Sequence, residues 1–529
     1  MTLTMVPHSC KTHSTQRSTS SLLSLLALVL VTFGVCAQAQ QPDARKGVLM
    51  PESVSPAGPY LPDPGFNGGN YVVESFSSLP SVSALGKKIL RLENGEVIVA
   101  GLAPAMTGTA FTGTPFNLGL VRYDAAGGEL AWSNPGIYGF NSNLSVVYPN
   151  IAYQGNGQKI INVVDIKILH DQIYVLVDNL FEGHIQPVII VFGVDGSFRS
   201  YNGLSQTGLN EYSGGMVIYE TSTLPTTVKV AVAASRFDGV WRPAFELATV
   251  NADSSLHFAG TLFPNPGNYC PTNRGCILRA IASSGGADAN GPFLYVAGTR
   301  QSNIPDNGEW DFLVMKVSAL GTPVTSFGGS GVTTVAFDDG LTKYDDANSI
   351  AVATSGNGPT QHDQLYVSGF VNRVCNDGVG VAKLKDNGTI DTTFGASGSG
   401  KIIFGGGNPS VNVTCAQIPP PAILAMYSTA SALSSDKLAI AGYTTVSSGG
   451  QTDSRVAIID STSGNLDSYQ PYYLKDASGN RIGQSAFGGV AQSGNGTFTM
   501  SGNVQVTGSV QQYGTLRVRG DRIFANGFE

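Results

Sequence analysis

Proton transfer or metal binding in this chain would have to draw on four histidines downstream of residue 39: His170, His184, His257 and His362. A nucleophile, a base and an orienting group must converge from separate loops to act together. His170 adjoins Asp171 at the end of an apolar run, which reads as a solvated strand end, and neither G-x-S-x-G nor H-E-x-x-H occurs. Gly395 to Lys401 spells most of a phosphate-cradling loop, but Ile402 stands where a magnesium-binding hydroxyl belongs and no helix signal follows, so it reads as turns. Asp338-Asp339 with Asp345-Asp346 offer carboxylates for calcium yet lack the D-x-D-x-D-G alternation, and read as loop charge. No histidine stands near a cysteine pair at zinc spacing. No catalytic, cofactor-binding or metal residue is therefore assigned, and no cofactor is expected.

Composition sets the class that must position these groups. There are 66 glycines in 529 residues and only 13% charged residues, against about 25% in an average protein, which excludes a coiled coil. With 42% hydrophobic residues, 24 Phe and 20 Tyr, the chain can bury a large core. His8, Lys11, His13 and Arg17, the apolar stretch Leu22 to Val35 and the triplet Ala37-Gln38-Ala39 read as a signal peptide cut after Ala39, too short to span a bilayer. Its removal leaves 28 basic against 37 acidic residues, a net charge of −9, which disfavours nucleic acid. Cys10 and Cys36 leave with it. The remaining four cysteines suit an oxidising compartment, and the preferred pairings of the three possible are Cys270 with Cys276, and Cys375 with Cys415.

An internal repeat organises the rest. Short runs ending in small residues recur at 97–101, 294–298, 365–369 and 438–442, with weaker copies at 173–177, 230–234 and 498–502. A second element follows each, at 119–123, 188–192, 245–250, 312–317, 380–384, 456–459 and 516–518, commonly running into Gly- and Asn-bearing turns. A third precedes some anchors, as at 347–352, 280–282 and 489–491. Seven units of this length fit seven propeller blades, which bury one another's faces around an axis. The small residues are expected where inner strands converge on that axis.

Phe327-Gly328-Gly329-Ser330-Gly331, Leu365 to Gly369, Gly380 to Leu384 and Asp386-Asn387-Gly388-Thr389-Ile390-Asp391-Thr392-Thr393-Phe394-Gly395 resemble the delta-60 repeat family of secreted bacterial proteins. The likeness is strong over 310–404, moderate at 63–130 and 430–470, and faint elsewhere. It implies a propeller-like array and no established chemistry. Residues 520–529, ending Ile523-Phe524-Ala525-Asn526-Gly527-Phe528-Glu529, resemble a short tail that closes many exported bacterial proteins, which implies a sorting or processing address. Tyr123 to Trp132 is similar to the tryptophan-docking segment of quinoprotein dehydrogenase propellers, but the indole occurs in one unit only, so it reads as a hairpin turn plus a core aromatic.

The sequence thus predicts an all-β, seven-bladed propeller over 63–519, preceded by a leader at 40–62 and followed by the tail. Ring closure is expected from Tyr71 to Ser75 pairing near Leu516 to Val518, since an open ring would expose strand edges. The expected function is non-catalytic binding or scaffolding by a secreted or cell-envelope monomer without a membrane span, its ligand a glycan, peptide or cell-surface component. A quinoprotein-like or hydrolytic propeller enzyme is the alternative. Loops at Met106 to Pro115, Pro264 to Gly275 and Ser447 to Thr452 are the expected ligand face; a binding module predicts mixed neutral groups lining the axial mouth, and an enzyme predicts several carboxylates or a histidine meeting there with shifted pKa values.

Overall fold

The alternation of apolar residues in each second strand sends side chains to both faces of a sheet, so neither face can be left to water. In Val97–Thr107, Ile98 and Ala100 join one core cluster while Val97 and Val99 join another. In Gly291–Gln301, Leu294 and Val296 go one way, Tyr295 and Ala297 the other. The computed structural model describes residues 48–49, 60–74, 76, 83–107, 110–140, 143–148, 159–204, 208–221, 225–261, 270, 274–288, 291–301, 309–337, 344–355, 362–371, 378–395, 398–404, 426–434, 436–446, 451–474, 481, 483–494, 496–507 and 510–520. The expected signal segment, Cys375, Cys415, Asp338-Asp339 and residues 521–529 lie outside them.

The strands form seven antiparallel sheets, each a blade of consecutive strands. Blade 1 runs Leu85–Arg91, Val97–Thr107, Ala110–Tyr123 and Ser145–Tyr148, with Gly139–Phe140 at its edge. Blade 2 is Lys159–Leu169, Gln172–Phe181, His184–Gly193 and Phe198–Gly203. Blade 3 is Asn210–Glu220, Val228–Phe237, Trp241–Val250 and Leu256–Thr261. Blade 4 is Cys276–Asp288, Gly291–Gln301, Trp310–Val317 and Val332–Val335. Blade 5 is Asp345–Ser355, His362–Val371, Gly378–Lys385 and Lys401–Phe404, and Val48–Leu49 runs parallel to its last strand. Blade 6 is Met426–Ser434, Lys437–Val446, Gln451–Asp460 and Leu466–Tyr472. Blade 7 is Ser485–Gly494, Thr497–Thr507 and Val510–Gly520. The first strand of every blade touches the first strands of its two neighbours, blade 7 against blade 1 included, so the ring is closed. One apolar cluster fills each of the seven blade-to-blade interfaces.

Closure uses the chain's N-terminal segment as blade 7's outer strand, as expected, in two pieces. Val72–Glu74 lies opposite Tyr513–Thr515, and Tyr60–Pro62 opposite Val518–Gly520. Between them the chain turns out over Arg517, whose guanidinium donates to Asp63 (2.7 Å) while the Asp63 N–H donates to the Arg517 carbonyl (2.8 Å). Pairing with blade 7 therefore begins at Tyr60, inside the expected leader.

The small residues also have a different cause from the expected one. They stand on second strands, one step out from the axis. Opposite each small pair the innermost strand carries a β-bulge, skipping Lys87, Arg279, Asn348, Thr429 and Gly488, with Val164 and Gly214 skipped in blades 2 and 3. A Cβ on Gly101, Gly298, Gly369 or Gly502 would overlap the carbonyl oxygen of Leu85, Ile277, Asp346 or Ala486 respectively. Glycine is needed there because the bulge pushes a carbonyl into the place of a side chain.

The F-G motif is a docking knob. Phe327, Phe394, Phe66 and Trp132 are all at most 1% exposed, and each packs on the turn glycine of the following blade: Gly388, Gly464, Gly127 and Gly196. A backbone hydrogen bond locks each contact, from Gly328 to Asn387, Gly395 to Ser463, Asn67 to Ala126 and Asn134 to Asp195, at 2.7–2.9 Å. Trp132 thus packs between blades 1 and 2. Both Gly388 and Gly329 have φ near +80°, but a Cβ on Gly388 would lie 2.9 Å from Gly328 N and 3.2 Å from the Phe327 ring, whereas Gly329 has nothing within 4 Å. Gly329→Ala is expected to cost about 1–2 kcal/mol for its backbone conformation alone; Gly388→Ala should cost about 1–3 kcal/mol more through overpacking. Thermal unfolding of the two variants measures the difference.

Candidate functional site

The histidines are dispersed. His170 and Asp171, both at positive φ, form the tight turn between blade 2's first two strands. The His170 ring is exposed and its Nε2 meets Glu220 at 2.8 Å. His362 Nδ1 lies 3.1 Å from Asp386 and is also exposed, on blade 5. His184 and His257 belong to other turns and strands, of blades 2 and 3.

The other sequence candidates are engaged structurally. Asp345 accepts the Phe337 N–H (2.8 Å), and Asp346 takes the Thr299 hydroxyl and the Arg279 guanidinium. In the phosphate-loop-like segment, Gly395 is tied to the blade 5–6 dock. Lys401 is fully buried, with its ammonium donating to the Ala336 carbonyl (2.8 Å) beneath the Phe337 ring. Cys270 is disulfide-bonded to Cys276. The described ends of the expected ligand loops, at Thr107 and Ala110, Gly275 and Gln451, stand on the rim where second strands turn into third strands, with Gly275 hydrogen-bonded to Gln301 (2.9 Å). Met106 to Pro115 is not the expected loop but the paired ends of blade 1's second and third strands, while most of Pro264 to Gly275 and of Ser447 to Thr452 lies outside the described residues.

The innermost strands are not free of charge. Charged residues occupy the innermost strands at and beside the bulges: Lys87 and Lys88 in blade 1, Asp165 and Lys167 in blade 2, Arg279 in blade 4 and Asp346 in blade 5. The two acids are already spoken for. Asp165 accepts the N–H groups of Ile166 (2.9 Å) and of Met216 in blade 3 (3.0 Å) as well as the Lys167 ammonium (2.7 Å). Burial pushes the amines of Lys87 and Lys88 below the usual lysine range.

A second concavity, of about 440 Å³, opens at the seam where blade 6's last strand faces the N-terminal strands of blade 7. Among the described residues, Tyr473 and the largely buried Tyr60, Tyr71 and Tyr472 line it with the amides of Asn70 and Gln470 and with apolar walls from Pro62, Pro471, Leu61 and Leu474, and none of these is charged. The groove is held in shape by the Tyr472 hydroxyl donating to the Tyr60 carbonyl (2.7 Å) and by Tyr71 stacked on Phe487 (6.1 Å). Arg481 lies over Tyr473 at 5.9 Å. Leu61, 45% exposed, forms part of the lip. Sequence reasoning missed this groove, because its walls come from positions about 400 residues apart; the tyrosine pair 472–473 after Pro471 was the local sign.

No family model matches the chain, and no curated protein matches it. Solved structures similar to it include a protein of unknown function from Dyadobacter fermentans, 9% identical, covering 85% of this chain and 98% of that one, with a TM-score of 0.36. The phage phi92 endosialidase is 9% identical over 87% of this chain and 71% of its own, with a TM-score of 0.37. The propeller domain of the Trilobed protease of Pyrococcus furiosus, described as having an open velcro topology, is 8% identical over 84% and 98%, with a TM-score of 0.34. At these values the likenesses carry no argument about this chain's chemistry, and the propeller assignment rests on its own strand pairing.

One buried acid makes the blade interfaces pH-sensitive. Asp178 in blade 2 is 3% exposed and accepts both the N–H (2.9 Å) and the hydroxyl (2.8 Å) of Ser213 in blade 3, and burial pushes its carboxyl up to about 6. Its pKa in the folded chain is above the unfolded value of about 3.9, so its favourable contribution is complete below that value and is lost as pH rises through about 6. At about 1.36 kcal/mol per pH unit the loss is on the order of 2–3 kcal/mol. Asp178→Asn escapes it, so the variant's melting temperature should exceed the parent's by a margin that widens from pH 4 to pH 7.5.

Proposed function

We propose that this chain is an exported, monomeric propeller of degenerate delta-60-type repeats that binds a neutral glycan in the groove between blades 6 and 7, and that it catalyses nothing. The observation that carries the reading is the groove itself: tyrosine rings beside two amides, with no charge among its described lining residues. Sugar rings present apolar faces and hydroxyls that such surfaces accept, and tyrosine supplies contact area at little conformational cost. The titratable side chains support the same reading because of how they are used. Tyr295 and Tyr366 donate to Asp363 and to the Ser461 carbonyl across blade interfaces, both at 2.8 Å. Lys383 is buried against Asp391 (3.3 Å) and the Ser461 carbonyl (3.2 Å). The Cys270–Cys276 bond suits an oxidising compartment.

The test is an array of neutral and charged glycans and of peptides, probed with the mature chain. Neutral glycans are expected to be retained, and Tyr473→Ala combined with Gln470→Ala should weaken retention about tenfold, the effect of losing a ring contact and an amide hydrogen bond. Retention of peptides alone, an unchanged response in the double variant, or a quinone or metal co-purifying with catalytic turnover would overturn the proposal.

A further inference from the structure

The charge at the axis is unbalanced on one side of the ring, and the imbalance has a definite geometry. Lys87 is the bulged residue of blade 1's first strand and Lys88 follows it. On one flank lies the first strand of blade 7, where Gly488 and Gly489 bring only backbone. A Cβ on Gly488 would sit 2.6 Å from the Lys87 carbonyl oxygen, and one on Gly489 would sit 3.1 Å from the Lys88 Cα. Blade 7 therefore presents no acidic side chain at this point of contact. On the other flank is blade 2, where Lys88 feels the Asp165 carboxylate but also the repulsion of Lys167 and Lys87.

Asp165 cannot neutralise this group. Its oxygens are shared among two backbone N–H groups and the Lys167 ammonium. The side chain of neither Lys87 nor Lys88 makes a hydrogen bond or ion pair with a described residue, although the structure pairs the deeply set Lys383 with Asp391. Lys88 is thus within electrostatic reach of one carboxylate, already paired with Lys167, and of two further ammonium groups, in a chain whose expected mature charge is −9. Both unpaired lysines are only partly covered, so they keep contact with solvent while protein crowds them. Cations held in this way are destabilising unless something from solution offsets them.

We propose that Lys87 and Lys88, with Lys167 beside them, form an axial site for a small oxyanion, either a phosphate group or a carboxylate. Lysine suits such a role as a mobile point charge with three donors, and a charge-assisted hydrogen bond is roughly twice as strong as a neutral one. The site is separate from the tyrosine groove and is not an extension of the glycan reading, since the groove lies at the seam of outer strands and the lysines lie on an innermost one.

The experiment titrates the full mature chain with inorganic phosphate and, separately, with galacturonate, at an ionic strength held constant with sodium chloride. Calorimetry and melting temperature are both read. Saturable binding of at least one oxyanion, with a melting temperature that rises with its concentration, is expected; phosphate preferred over galacturonate identifies a phosphate group as the natural ligand, and the reverse order a carboxylate. Lys87→Gln with Lys88→Gln should weaken binding about tenfold or more and raise the melting temperature in the absence of anion, while Lys385→Gln on the exposed rim should change neither. Absence of saturable binding in the parent chain, which requires no variant to fold, overturns the proposal. So does a double variant that binds as tightly as the parent.

Discussion

Every sheet in this molecule has two apolar faces, and no sheet carries anything of its own with which to cover either. That constraint generates the rest. Strand alternation assigns Tyr174 and Leu176 to the cluster shared with blade 3, and Ile173, Val175 and Val177 to the cluster shared with blade 1. Removing one blade would expose two clusters at once. The arrangement has a solution only as a closed ring, because a row of such sheets leaves two uncovered ends. The bulges, the docking knobs and the borrowed outer strand all serve that closure.

Two local devices hold the ring at its inner and outer radii. Near the axis the bulge lets the innermost strands come together, and each carries at least one direct contact to the next: Thr429 donates to the Phe487 carbonyl (2.9 Å), and the hydroxyls of Ser349 and Ser431 meet at 2.7 Å. Further out, an aromatic ring seated on a turn glycine sets the angle between blades. The inner device is made largely of backbone, so it tolerates variation in side chain, whereas the outer one depends on a buried ring and a glycine facing it. At that outer device blades 4 and 5 carry the F-G and N-G motifs, Phe327-Gly328 on Asn387-Gly388, which makes them the most legible units of the chain.

Much of this was readable from the chain alone. The seven second strands and seven third strands stand where the anchor runs and their followers were found, because an apolar segment covered on both faces is a local signal. The fourth strands were not visible: Phe198–Gly203 alternates half-buried and exposed residues, and Val332–Val335 is four residues long. The glycine that ends several anchors was noticed and given the wrong cause, since a bulge is a property of the pairing and the offending carbonyl belongs to another strand. Closure was legible as a strand exchange but not its division into two pieces, because Asp63 and Arg517 decide that across 454 positions. Lys87 and Lys88 went unremarked for a similar reason: in one dimension they look like a solvated strand edge, and only the apposition of Gly488 shows that no acid answers them there.

The shared last blade fixes the order in which the molecule can come into being. Joining Asp63 to Arg517 ties off a loop of more than 450 residues, an entropic toll of roughly 5 kcal/mol by chain statistics, and blade 7's outer strand is synthesised before any of its partners. A chain emerging from a ribosome must carry Tyr60–Glu74 as an orphan through the making of six blades. The hairpins of those blades can zip as they appear, but the circle has no existence until the final strand has cleared the exit.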